Sequence, residues 1–154
     1  MAECDELQEL ELRLAAAGPR DEAQLIDAAA RVLLREAADR ARLRSFRDAD
    51  AFADGAMLVY RAALPDSGFQ FGLGPRLAAR PRTATALAWQ LGDTCAMPYR
   101  AATPALALLR ATVNETARLR DANAMAACPT CRGLGWYITA DNRKQMCRHG
   151  RGSA

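Results

Sequence analysis

The chain has 154 residues, a formal net charge of +3 and a hydrophobic fraction of 51%, with alanine prominent among the apolar residues. This length suits one domain, or one domain with a small appendage. Aromatic residues make up only 6% of the chain, which disfavours a sandwich or barrel and favours closely packed helices. We therefore expect a mainly α fold, an Ala/Leu-rich helical body.

Export and membrane insertion are not expected from the sequence. The first residues, Met-Ala-Glu-Cys-Asp-Glu, are acidic where a secretory signal is basic, and no apolar stretch is long enough to span a bilayer. The five cysteines are an odd number, which argues against a disulfide framework. We expect a cytoplasmic protein.

Charge is unevenly distributed along the chain. Residues 1–60 carry 8 arginines against 13 acidic residues, whereas residues 61–154 carry 13 basic residues against 5 acidic ones. An acidic first half and a basic second half indicate two faces with different partners, and phosphate backbones are the usual partners of a basic face. A soluble protein with unevenly placed charge is the alternative.

Three helices are predicted in the first 63 residues. Leucines at helical spacing predict a helix over about 3–17, which Gly18-Pro19 ends. A second helix begins near Asp21 as its cap and keeps one apolar face as far as Ala41. A third covers about 48–63.

The middle of the chain is harder to interpret. Gly68 to Pro81 alternates apolar residues but is too rich in glycine to predict a firm strand. Its arginines suit either a solvated loop or phosphate contacts; they are Arg76, Arg80 and, just beyond, Arg82. Thr83 is placed to cap a fourth helix through about Leu91.

The longest helix is predicted over about 104–125. Thr103-Pro104 is typical of a cap followed by proline at the first helical position. Arg110, Asn114 and Arg118 recur every four residues, on a face that suits a nucleic-acid groove or plain solvent.

The C-terminal segment carries the pattern with the most specific chemistry. Cys128 and Cys131 are separated by two residues and followed by Gly133 and Gly135, which allow the backbone to curl beneath a metal. A β-favouring run, a turn and a second run then predict a hairpin that returns Cys147 to the first pair. This arrangement predicts a zinc-ribbon-like module over residues 128–154, after a helical body over 1–127.

The fourth zinc ligand is open between two residues. His149, the only histidine, completes a Cys3His site if its ring turns inward, and Cys95 is the alternative from the helical body. A metal-free thiol pair and a degenerate knuckle are the rival interpretations. A thioredoxin-like redox pair lacks its required βαβ context.

The motif Cys-Pro-Thr-Cys-Arg-Gly-Leu-Gly resembles one repeat of the Cys-x-x-Cys-x-Gly-x-Gly module in the cysteine-rich domain of DnaJ chaperones. The overall plan is similar to phage late-gene antitermination proteins, in which a basic helical body carries a related zinc motif. That resemblance implies action on promoter DNA and RNA polymerase. It covers about residues 128–152, and the second cysteine pair of the repeat is missing here.

Basic side chains surround the predicted zinc site, with Asp141 as the only acid after Cys128; they are Arg132, Arg143, Lys144, Arg148 and Arg151. We expect them to bind phosphates of DNA or RNA. Trp136 and Tyr137 can stack on a base, or Trp136 can cover the zinc knuckle.

Three classes of function follow. The first is a non-catalytic nucleic-acid-binding regulator, of the phage antitermination type, whose acidic helices hold a protein partner or self-associate. The second is a chaperone-like adaptor whose zinc knuckle grips a polypeptide. The third, an enzyme, is disfavoured because three cysteines without a nearby glutamate fit a structural metal site.

Overall fold

The computed structural model describes residues 2–73, 83–90 and 97–147, without the side chains of residues 2–5 and 90. Five α-helices lie in this part of the chain: α1 (Ala2–Ala16), α2 (Glu22–Leu33), α3 (Ala37–Asp48), α4 (Phe52–Ala63) and α5 (Pro104–Ala126). One antiparallel sheet has the order β1 (Ser67–Leu73), β2 (Ala84–Gln90), β3 (Tyr99–Ala101). A second pairs β4 (Trp136–Ile138) with β5 (Lys144–Met146). The mainly α prediction is confirmed.

Helix α5 is the centre of the core. Its residues from Ala105 to Leu109 are all buried, so this turn is enclosed on every side, and α1, α4 and the three-stranded sheet pack around it. The predicted cap is present: the Leu106 N–H donates to Thr103 Oγ1 at 3.3 Å, and Pro104 occupies the first turn. The Thr103 hydroxyl also donates to the Glu22 carboxylate at the start of α2.

The predicted fourth helix, from Thr83 to about Leu91, is wrong over its described part. Residues Ala84–Gln90 form the central strand of the sheet, and Leu91 lies outside the described residues. Ala84, Ala86 and Ala88 are buried at alternate positions, because small side chains let the sheet approach α5 closely. Tertiary packing has overridden the helical preference of alanine.

The predicted second helix is two helices. Leu34 adopts an extended backbone (φ −87°, ψ 116°) and is only 3% exposed, so the chain breaks where this leucine packs into the core. Asp21 precedes α2 as expected, but its carboxylate accepts from the Gly18 N–H at 2.8 Å and does not cap α2. The third predicted helix begins at Phe52 and not at 48, because Asp48 still belongs to α3.

The remaining elements agree more closely with the sequence-based prediction. The first predicted helix matches α1, and the longest matches α5. The glycine-rich stretch from Gly68 forms β1 as far as Leu73, and its remainder, with Arg76, Arg80 and Arg82, lies outside the described residues.

Arg110 is held by partners within the body. Its guanidinium lies 2.7 Å from Glu11 Oε1 of α1 and donates to the Arg100 carbonyl at 2.6 Å, and the side chain is only 20% exposed. Arg118 donates to the Glu115 carboxylate at 2.7 Å. Arg110 therefore joins α5 to α1 and β3, whereas the Arg118 pair lies within α5 itself.

Candidate metal centre

The cysteine-rich segment starts directly from the end of α5. The Cys128 N–H donates to the Met125 carbonyl at 3.2 Å, and the Cys131 thiol lies 3.9 Å from the same oxygen. The first two sulfur atoms are thus positioned by the last turn of the longest helix, so the body fixes the direction in which this segment leaves.

A tight loop turns the backbone beneath the first two sulfurs. The Arg132 N–H donates to the Cys128 carbonyl at 2.9 Å, and the Leu134 N–H donates to the Cys131 carbonyl at 3.0 Å. Gly133 has a φ of 86° and Gly135 a φ of 73°, conformations that glycine adopts without steric cost. The two glycines therefore have the conformational role predicted for them.

The hairpin returns the chain to this loop. In its register Trp136 faces Met146 and Ile138 faces Lys144. The Cys147 N–H donates to the Gly135 carbonyl at 2.8 Å, which continues the ladder and fixes the third cysteine beside the first two. The two predicted strands are confirmed at Trp136–Ile138 and Lys144–Met146.

The sulfur atoms of Cys128, Cys131 and Cys147 all lie within 4.8 Å of one another, and those of Cys128 and Cys147 are 3.6 Å apart. Two sulfurs that each lie about 2.3 Å from a tetrahedral zinc are about 3.8 Å apart, whereas bonded sulfurs are about 2.05 Å apart. The cluster has the spacing of thiols that share a metal, and these three residues can hold a metal ion.

The three thiols differ in their environments. Backbone hydrogen bonds from Cys131 and Thr130, together with the Cys147 and Cys131 thiols, lower the pKa of Cys128 to about 7. Partial burial is the main cause that raises the pKa of Cys147 to about 11, and the neighbouring thiols of Cys128 and Cys131 raise it further in the same direction. Amide groups directed at a sulfur favour its thiolate, which is the form that binds metals.

Three of the four predicted metal ligands are therefore brought together by the structure. His149 lies outside the described residues, as does its alternative Cys95. Cys131 is the only one of the three thiols that is fully buried, which places it at the inner side of the cluster against α5.

The described part of the predicted basic surface is exposed. Arg132, Arg143 and Lys144 are all open to solvent, while Arg148 and Arg151 lie outside the described residues. The Arg143 guanidinium lies 3.2 Å from Asp141, and the Lys144 ammonium lies 4.4 Å from the centre of the Trp136 ring. The Trp136 ring is thus covered on one side by a cation.

Sequence reasoning missed an apolar component of this surface. Leu134, Ile138 and Met146 are 64%, 52% and 74% exposed. Ile138 and Met146 share one face of the hairpin with Trp136 and Lys144, because directly paired residues point to the same side. The alternation of side chains along the two predicted strands shows which residues share a face, but only once the register of the hairpin is known.

Comparisons of the chain with protein-family models, with curated proteins and with solved structures found no match. Within the described ranges, no helix combines the length and the apolar character needed to cross a bilayer.

Proposed function

We propose that this chain is a non-catalytic nucleic-acid-binding regulatory protein whose C-terminal module is held together by a structural zinc ion. The observation that carries the proposal is the cluster of three sulfurs within 4.8 Å of one another, on a segment with exposed basic side chains. The assignment to transcription, with RNA polymerase as a partner, is supported only by the resemblance of the cysteine motif.

The module needs a metal because it has almost no core. From Cys128 to Cys147, Cys131 is the only buried residue. Small domains without a sufficient core are usually held by metals, disulfides or oligomerisation. Thiolate ligands select zinc, copper(I) or iron–sulfur clusters, and zinc is the metal of three- and four-cysteine structural sites.

His149 is our choice for the fourth ligand. It is two residues beyond Cys147 in the sequence, and an imidazole nitrogen is an ordinary partner for three thiolates at zinc. Three cysteines and a histidine close the coordination sphere, which suits a structural site. Replacing His149 by alanine should weaken zinc binding, whereas replacing Cys95 should not. The reverse result would transfer the role to Cys95.

Phosphates are the partners that the surface charge favours. Arg132, Arg143 and Lys144 are exposed, and Asp141 is the only acid in the module. Guanidinium and ammonium groups on an exposed module bind phosphates chiefly by releasing counterions, so the binding must weaken steeply with salt.

The first test is zinc per chain in protein purified without chelator, measured by elemental mass spectrometry. A value near one is expected, and a value near zero would remove the metal from the proposal. The second test titrates labelled duplex DNA, single-stranded DNA and RNA at several salt concentrations. Neutralising Arg132, Arg143 and Lys144 together should reduce the log–log salt slope for duplex DNA by roughly 0.9 for each phosphate that the module no longer neutralises.

A matched control is available in Arg44, an exposed arginine of α3 that lies far along the chain from the module. Replacing it with glutamine should leave the slope unchanged. Equal binding by the triple variant and the native protein would contradict the placement of the nucleic-acid surface.

A protein-binding adaptor is the second candidate, and the exposed apolar side chains favour it. Leu134, Ile138 and Met146 are more than half exposed on one small module, and exposed apolar groups are typical of protein interfaces. This function predicts little salt dependence and no affinity for nucleic acid. Replacing Ile138 and Met146 by polar residues would then abolish partner binding without affecting zinc content.

A further inference from the structure

A cleft of about 630 Å³ lies in the helical body, and none of the three clustered cysteines lines it. It is formed where the end of α2, the start of α3, the end of α4 and the C-terminal half of α5 meet. Val32, Leu33, Leu64 and Leu119 supply apolar lining. Its volume is in the range of small-molecule sites, about 300 to 1,000 Å³.

Charged side chains of both signs line the same cleft: Arg35, Arg61, Arg120, Glu36 and Asp39. Among the described residues, the side chains of Arg35, Arg61, Glu36 and Asp39 form no ion pair. Arg47 of α3, by contrast, pairs with Asp27 of α2 at 2.9 Å. The charges of these four residues are thus available to a ligand.

One hydroxyl group at the cleft also lacks a partner. Thr116 lines the cleft from α5, and within the described residues its Oγ1 is a buried atom without a hydrogen-bond partner. Buried polar groups are nearly always hydrogen-bonded, so an exception needs an explanation. Once the Thr116 side chain rotates toward the cleft, a bound polar molecule would supply the missing partner.

We propose that this cleft binds a small molecule that carries a phosphate group and vicinal hydroxyls, of about the size of a nucleoside monophosphate. Guanidinium groups such as those of Arg35 and Arg61 bind phosphate oxygens in a bidentate manner. The carboxylates of Glu36 and Asp39 accept hydrogen bonds from sugar hydroxyls, and the apolar lining receives a flat ring. This site is independent of the proposed zinc module.

The other explanation of the arginines is structural. Arg61 lies in the last turn of α4 and Arg35 follows the end of α2, where positive charge compensates the negative end of a helix dipole. In that case the replacement of Arg61 lowers stability and leaves ligand binding unaffected, so a measurement of affinity separates the two explanations.

The experiment titrates the full chain with adenosine monophosphate, inorganic phosphate and adenosine by calorimetry, with amide NMR shifts to locate the site. Saturable binding of the nucleotide is expected, with shifts around Val32 and Leu119. Arg61→Gln should weaken it about tenfold or more, the loss of a charged hydrogen bond, whereas Arg44→Gln should bind like the native protein. Thr116→Val, a change that keeps the side-chain shape, should also weaken it.

Three outcomes would overturn the proposal. One is the absence of saturable binding by the nucleotide at millimolar concentration. Another is native affinity in both Arg61→Gln and Thr116→Val. The third is equally tight binding of inorganic phosphate and the nucleotide, because the carboxylates and the apolar lining would then have no part in recognition.

Discussion

Removal of the metal should unfold the C-terminal module and leave the helical body intact. Fixing the backbone of one residue costs about 1 to 2 kcal/mol. Cys131 is the only buried residue among those from Cys128 to Cys147, and full burial even of a larger apolar side chain such as leucine contributes only about 1.5 to 3 kcal/mol. Hydrophobic burial therefore cannot order this segment without the metal.

The size of the effect follows from linkage. At free zinc about 1,000 times its dissociation constant, binding stabilises the folded module by about 4 kcal/mol, which slows amide exchange by roughly 1,000-fold. The amides to follow by hydrogen exchange are those of Arg132, Leu134 and Cys147, which donate to Cys128, Cys131 and Gly135 carbonyls in the folded module. Amides in the first half of α5 should keep their protection after chelation.

Two results would refute this reasoning. Unchanged exchange of the three amides after chelation would show that the module folds without metal. Loss of protection throughout α5 would show that the module and body unfold together. Cys131→Ser should reproduce the effect of the chelator, whereas Cys4→Ser, a matched change in α1, should leave the module protected.

Two further outcomes are expected. Tyr60→Phe should be neutral or stabilise the fold by about 1 kcal/mol in thermal unfolding, because the buried hydroxyl has no partner among the described residues, and a clear drop in stability would contradict this. Gly68→Ala should cost about 1 to 3 kcal/mol in urea unfolding, because its Cβ would lie 2.7 Å from the Trp89 ring; unchanged stability would refute that close approach.

The helices were predictable where local signals agree with burial. Thr103-Pro104 marks the start of α5, and the leucines of α1 recur at helical spacing and are buried. Strand β2 was missed because an alanine-rich segment carries little pattern of its own. Its strand conformation comes from its pairing with β1 and from its packing against α5. The break between α2 and α3 at Leu34 was missed for the same reason, because it depends on tertiary packing that the local sequence pattern does not indicate.

Among the candidate sites, the cysteine cluster was predictable from the sequence and the cleft was not. The spacing of Cys128 and Cys131 with its glycines is a local signal, and it predicted the cluster and the returning hairpin. The cleft has no such signal, since its lining comes from four helices and the residues after them. The partner of Arg110 was also unpredictable, because Glu11 is 99 positions away in the sequence.

The distribution of charge limits how nucleic acid can bind. Residues 1–127 carry 16 basic and 17 acidic side chains, whereas residues 128–154 carry 5 basic and 1 acidic. The body is nearly neutral, and part of its charge is paired internally, as between Glu11 and Arg110. If the module alone binds the phosphates, its five cations limit the log–log salt slope for duplex DNA to about −4.5. A steeper slope in a monomer would require that arginines of the body also neutralise phosphates, and it would disprove an interface confined to the module.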